Sequence, residues 1–188
     1  MTAELSHEDI IRRTQSWLEK AVIGLNLCPF AHAVRAKNRI RYVVSSADTA
    51  DDLREDLLKE LLHLKETDPE ETETTLLIHP WVLDDFIDFN DFLDEADNAI
   101  MDLDLTGILQ VASFHPRYQF ADSTPDAIEN YSNRSPYPML HLLCESSIDR
   151  AIESHPDVDG IPDKNMDTLR RLGLKGWRSL GIEDEGDA

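Results

Sequence analysis

Cations are scarce in this chain: 18 lysines and arginines stand against 38 aspartates and glutamates, a formal charge of −20 at pH 7 over 188 residues. Nucleic-acid binding and docking on anionic lipid both draw on an excess of Lys and Arg, so the composition argues against both partners. Cysteine is scarce too. Cys28 and Cys144 lie far apart without CxxC spacing, which indicates neither a zinc knuckle nor a disulfide framework and points to reduced thiols in a cytoplasmic setting. Long apolar runs are missing. No window approaches the roughly 20 residues of a membrane span, and the acidic opening MTAELSHEDII lacks the apolar centre of a signal peptide or anchor. There is no internal repeat. The length fits one domain with a single core.

What the sequence does contain is an alternation of strand and helix patterns. Ser6 followed by Asp9 predicts a helix start. Ile10, Thr14, Trp17 and Ala21, with Ile11, Leu18, Val22 and Leu25 beside them, continue it as one apolar face. Asn26-Leu27-Cys28-Pro29-Phe30-Ala31 is a junction, and a short helix over 31–37 can follow it with Pro29 at its first position. RIRYVVSS at 39–46 predicts a strand. Asp48 is the expected cap of the next helix, in which Leu53, Leu57, Leu61 and Leu64 recur three and four apart up to Thr67-Asp68-Pro69.

A second strand over 74–78 exits into His79-Pro80. A third helix spans about 83–101 with Phe86, Phe89, Leu93, Ala96 and Ile100 inward. The third strand, 105–114, stops abruptly at His115-Pro116-Arg117-Tyr118-Gln119, where an imidazole, a guanidinium, a phenol and a carboxamide follow within a few residues. The segment from His115 to Pro136 has at most one helical turn, and long loops of this kind tend to be functional or disordered. A fourth strand over 137–144, a helix over 145–154 and a last helix over 163–172 closed by Gly173 complete the pattern. The expected organisation is a single α/β domain over 1–176, a mixed, mostly parallel sheet of about four strands flanked by helices, with 177–188 as a mobile acidic tail.

In sheets of this class ligands bind beyond the carboxyl ends of the strands. That rule places His79, His115 and the long loop on one rim. An antiparallel fourth strand would bring Asn133, Arg134, Ser135 and Tyr137 to the same rim, and the short helix after Cys28 could bring the thiol there. The expected site is then catalytic Cys28 and His115 with substrate-binding Asn26, His79, Arg117, Tyr118, Gln119, Asn133, Arg134, Ser135 and Tyr137.

NLCPFA at 26–31, LLIHP at 76–80, FNDFLDEAD at 89–97, LQVASFHPRYQFA at 109–121 and ENYSNRSPYPMLHLL at 129–143 together resemble the bacterial domain-of-unknown-function family 1415. The resemblance covers the chain from about Trp17 to Gly173. It implies which segments belong together and supplies no reaction or cofactor. At Cys144 the chain departs from the family pattern, where an arginine is more usual. CPFA ahead of a short helix is also similar to the thiol site of omega-type glutathione transferases and glutaredoxins, where a helix N-terminus lowers the thiol pKa.

Each residue has a functional and a plain reading. Cys28 is a nucleophile or redox thiol, or a small buried apolar residue. His115 is an acid/base group, or a ring that bonds loop carbonyls and holds the turn. Arg134 with Asn133 and Arg117 orients an anionic group, or clamps the loop through Asp122 or Asp126. His79, His115 and His141 could ligate zinc or iron, although their spacing is not diagnostic. Three functions follow: a small-molecule enzyme acting on an anionic substrate, a non-catalytic domain binding a small anionic ligand or a partner, or a His-ligated metal hydrolase. The sequence does not decide among them, nor does it give the oligomeric state.

Overall fold

A computed structural model of the chain describes residues 6–182. Helix α1 (His7–Trp17) begins where Ser6 accepts a hydrogen bond from the Asp9 amide at 3.1 Å. It runs on into a π-helical turn, Leu18–Ile23, marked by the bond from the Gly24 amide to the Glu19 carbonyl five residues back. A Cβ at Gly24 would collide with the Lys20 carbonyl, so glycine lets the wide turn close. Then follow α2 (Ala31–Ala36), β1 (Ile40–Val44), α3 (Ala50–Glu66), β2 (Thr74–Ile78), α4 (Phe86–Asp102), β3 (Leu109–Phe114), a 3-10 turn (Ile128–Ser132), β4 (Met139–Cys144), α5 (Glu145–Ser154) and α6 (Ile161–Arg178).

The cap of α3 is Thr49, whose hydroxyl accepts from the Asp52 amide, and not Asp48 as expected. In α6, Gly173 breaks the helix with φ 63° and ψ 173°, as a closing glycine should, but the chain then turns helically again as far as Arg178. Trp177 is 2 % exposed in the core, so the folded body extends past residue 176. Residues 183–188 of the expected tail lie outside the described residues.

The four strands form one sheet in the order β1-β2-β4-β3. The domain is α/β, a mixed sheet flanked by helices. β1 and β2 pair in parallel, while β4 inserts between β2 and β3 and pairs antiparallel with both. Three strands therefore share a direction, yet only one of the three pairings is parallel, and "mostly parallel" holds for strand direction only. Insertion of β4 is the cause, and strand periodicity says nothing about the order of strands.

Alternation sends side chains to opposite faces. On one face α3 and α4 seal the sheet: Leu53, Leu57, Leu61 and Phe89 meet Leu77, Leu140 and Leu142, all fully buried. Both crossover helices fall on this face, as two right-handed crossovers progressing in the same direction require. The other face carries Ile40, Tyr42, Leu76, Ile78, Phe114 and Met139 under α1, the π turn, the 3-10 turn and α6, with Trp17 and Trp177 as the largest buried pieces. That cover is incomplete, and Ile40, Ala112, Phe114, His141 and Leu143 are only partly buried.

Candidate functional site

The two strand-ending imidazoles lie on the sealed face. His79 has no exposed surface and stacks on Phe89 with ring centroids 5.7 Å apart. Its Nδ1–H points to the Val82 carbonyl at 3.0 Å, and its Nε2 is buried without a partner. Burial outweighs that hydrogen bond and pushes its pKa down to about 4. His115 is equally buried between Phe86 and Phe89, 5.4 and 5.0 Å away. Its Nδ1 accepts from the Arg117 amide at 3.0 Å, so Nε2 carries the proton and donates to the Leu83 carbonyl at 3.1 Å. Burial lowers its pKa, and the Leu83 bond opposes the shift. The ring is neutral and both nitrogens serve the backbone.

The loop residues expected to hold a substrate chiefly hold the loop. Arg134 donates to the carbonyls of Tyr118 and Pro125 and lies over the Tyr131 ring, 4.3 Å from its centroid, while the Trp17 indole N–H donates to its own carbonyl. The clamp is thus made on carbonyls and not on Asp122 or Asp126. Arg117 reaches the carbonyl and carboxylate of Asp84. Asn133 donates to the Ser113 carbonyl, Ser135 to Tyr137, and Gln119 to Ser123. Tyr118 packs between Phe86 and Phe120, and Tyr137 lies in the core. Asn130, which the sequence reading passed over, is fully buried; it accepts from the Phe120 amide and the Ser123 hydroxyl and donates to Thr124. An amide with both ends satisfied in a buried loop is the organiser of that loop.

The thiol is elsewhere. Cys28 packs on the second face, away from His79 and His115, and the expected common rim does not form. The physical reason is the length of the first helical unit. It crosses beneath the sheet and delivers Cys28 near the amino ends of β1 and β2. No strand leads into α2, and α2 has only six residues, which removes the likeness to a thioredoxin-type thiol site.

There Cys28 lines a cavity of about 660 Å³ between the uncovered part of the sheet, the π turn, α2 and α5. Trp17, Leu18, Val22, Phe30 and Val34 form one wall, Ala112, Phe114 and Leu143 the floor, and Ile148 and Ala151 the far side. Arg39, Glu73 and Gln110 mark its outer end, at the starts of β1, β2 and β3. The hollow therefore opens at the amino ends of the parallel strands, opposite to the rule for open α/β sheets, because α1, α6 and the long loop close the carboxyl half of this face.

Residues 9–179 of the chain match the family model described as protein of unknown function (DUF1415). The chain belongs to this family. No curated protein and no solved structure matches it. Of the stretches that carried the resemblance, NLCPFA, LQVASF and PMLHLL supply cavity-lining residues of this DUF1415 chain, whereas FNDFLDEAD lies on the sealed face. Asn26, with φ 53°, sits outside the cavity beside Pro29, in a smaller polar hollow against α6, where Asn165 ties down the Leu27 carbonyl.

His141, offered by the sequence as one of three metal ligands, is the polar group in the floor of this cavity. Its register partners Leu76 and Ala112 place it on the second face, so it cannot join His79 and His115 around one metal ion. Among the described residues no group of three or more His, Cys, Asp or Glu is arranged to hold a metal. Thr74 fixes its protonation. The Thr74 hydroxyl lies 2.6 Å from the Leu142 carbonyl and 2.6 Å from His141 Nε2. A carbonyl only accepts, so the hydroxyl proton goes there and Nε2–H donates to the hydroxyl oxygen. Nδ1 keeps its lone pair and makes no hydrogen bond among the described residues. Burial pushes the pKa of this imidazole down to about 4, so at neutral pH it is a fixed, uncharged acceptor. The alternation of β4 held the signal, but which face stays open is not written in any one strand. No described helix is long and apolar enough to cross a membrane.

Proposed function

We propose that this protein binds a small, largely apolar molecule in the cavity between the uncovered half of the sheet and helices α2 and α5. The observation that carries the reading is a hollow of about 660 Å³ walled by Trp17, Leu18, Val22, Ala112, Phe114 and Leu143, with one oriented polar group, His141, in its floor. Small-molecule sites have this size and this composition, apolar walls with a few placed polar atoms. A folded chain gains nothing in stability from leaving such a surface uncovered, since closing it would remove more apolar area from water. His141 Nδ1 gives the floor a single hydrogen-bond acceptor, which a water or a donor on the ligand satisfies.

The test is titration with the neutral fluorescent probe N-phenyl-1-naphthylamine. Saturable one-to-one binding is expected, with loss of more than about tenfold in affinity for Ala112→Trp, which fills the floor. Unchanged binding by an Ala112→Trp protein of native circular dichroism would exclude the cavity as the site.

A catalytic version of the same reading rests on Cys28, whose thiol shares the cavity with the lone pair of His141. A thiol beside a neutral imidazole is the combination from which a nucleophile is made. Turnover of a bound ester or thioester, lost in Cys28→Ser and in His141→Gln with binding retained, distinguishes an enzyme from a binding domain.

A further inference from the structure

The charge around the cavity runs against the charge of the chain. Five charged residues line it, the cations Lys37, Arg39 and Arg150 and the anions Glu70 and Glu73, so the lining is net positive in a chain of formal charge −20. Arg39 is committed, pairing with Glu70 and with Glu73 at 3.6 Å, a trio of net charge −1. Lys37 and Arg150 are not. Both are exposed, and neither takes part in an ion pair among the described residues. Arg150 donates only to the Ser146 carbonyl at 3.2 Å and the Ser147 hydroxyl at 3.0 Å.

They stand on the two helices that flank the opening, Lys37 at the end of α2 and Arg150 on α5. Among the described residues several other cations also lack an ion pair, but Lys37 and Arg150 are the two of them that border this apolar hollow. An unpaired ammonium and guanidinium at the mouth of an apolar pocket suit a molecule whose tail is hydrocarbon and whose head is an anion.

We infer that the ligand is an amphipathic monoanion of the fatty-acid type, with its alkyl part along the floor of Ala112, Phe114 and Leu143 and its carboxylate between Lys37 and Arg150. This rests on the cavity reading above and adds the polarity and orientation of the occupant. Charge also serves selection: the surrounding field of a −20 chain repels anions in general, so only an anion with enough apolar surface to bury is retained.

The experiment compares three probes of equal chain length, decanoate, decanol and decyltrimethylammonium, by displacement of N-phenyl-1-naphthylamine from the full chain below their critical micelle concentrations. Decanoate is expected to bind at least tenfold more tightly than decanol, and the ammonium most weakly. Lys37→Gln and Arg150→Gln should each weaken decanoate several-fold and leave decanol unchanged, and added salt should act on decanoate alone. Decanol binding as well as decanoate, or both falling together in the variants, overturns the anionic head while the cavity reading stands. Failure of all three to displace the probe, or failure of the probe itself to bind, overturns the cavity reading.

Discussion

The two faces of the sheet use the same kind of side chain to opposite ends. On the α3/α4 face, leucines at helical spacing meet Leu77, Leu140 and Leu142 and exclude solvent completely. On the other face Ile40, Ala112, Phe114 and Leu143 come from the same alternating strands and remain partly uncovered. Each face also carries histidine. His79 and His115, on the sealed face, are fixed to the backbone carbonyls of Val82 and Leu83, whereas His141, on the open face, keeps an uncommitted nitrogen in a cavity. Position at the end of a strand made the first two look chemical, but a polar group is available for chemistry only where the packing around it stops.

Breaking the sealed face should have the largest effect. Phe89→Ala removes a fully buried ring that touches both imidazoles, and a loss of about 3–5 kcal/mol in guanidinium unfolding is expected. Leu143→Ala on the open face should cost about 1 kcal/mol, because much of that side chain has already kept its contact with water. Equal losses for the two would mean that the faces do not differ as described.

Acid sharpens the comparison next. The pKa values of His79 and His141 lie near 4 in the folded protein against 6.5 for a free imidazole. Between those values the unfolded chain binds more protons, so stability is full above about pH 6.5 and declines as the pH falls toward 4. The slope approaches about 1.4 kcal/mol per pH unit for each ring. Urea midpoints measured from pH 7 to 4 should show it. His79→Phe should flatten the decline without touching probe binding, and His141→Phe should flatten it and alter the cavity as well. A midpoint independent of pH over this range contradicts the burial of both rings.

Arg134→Met tests whether the long loop is a clamp or a ligand site. It removes the donors to Tyr118 and Pro125, and about 1–3 kcal/mol of stability should go with them. Binding of N-phenyl-1-naphthylamine is expected to persist. Native stability combined with lost binding would return the anion site to the loop.

The smallest effect is kinetic. Cys28 and Cys144 both border the cavity, but burial first, and the nearby Glu73 carboxylate second, raise the pKa of the Cys144 thiol. Partial alkylation with iodoacetamide, read by peptide mass spectrometry, should label Cys28 ahead of Cys144, and a bound cavity ligand should slow the labelling of Cys28. Preferential labelling of Cys144 would contradict the raised pKa that burial gives its thiol.

Local features proved legible. The span of β2 at 74–78 and the span of α5 at 145–154 are those expected, and the inward leucines of α3 and the Ser6 cap are where periodicity and capping chemistry put them. The gathering of the site was not legible. Whether Cys28 meets His115 depends on which face the first helical unit crosses, and whether His141 is core depends on what covers β4. Neither is a property of the residues flanking them.

The amino-acid sequence by itself determined the elements, their α/β alternation and the strong negative charge, because helix caps, apolar spacing and ionisation are decided within a few residues of chain. Tertiary structure alone decided that β4 enters between β2 and β3, that one face closes and the other stays hollow, and hence that Cys28, His141, Lys37 and Arg150 share a cavity. Burial is the reason: it is set by what the whole remaining chain lays over a residue, and no local stretch encodes it.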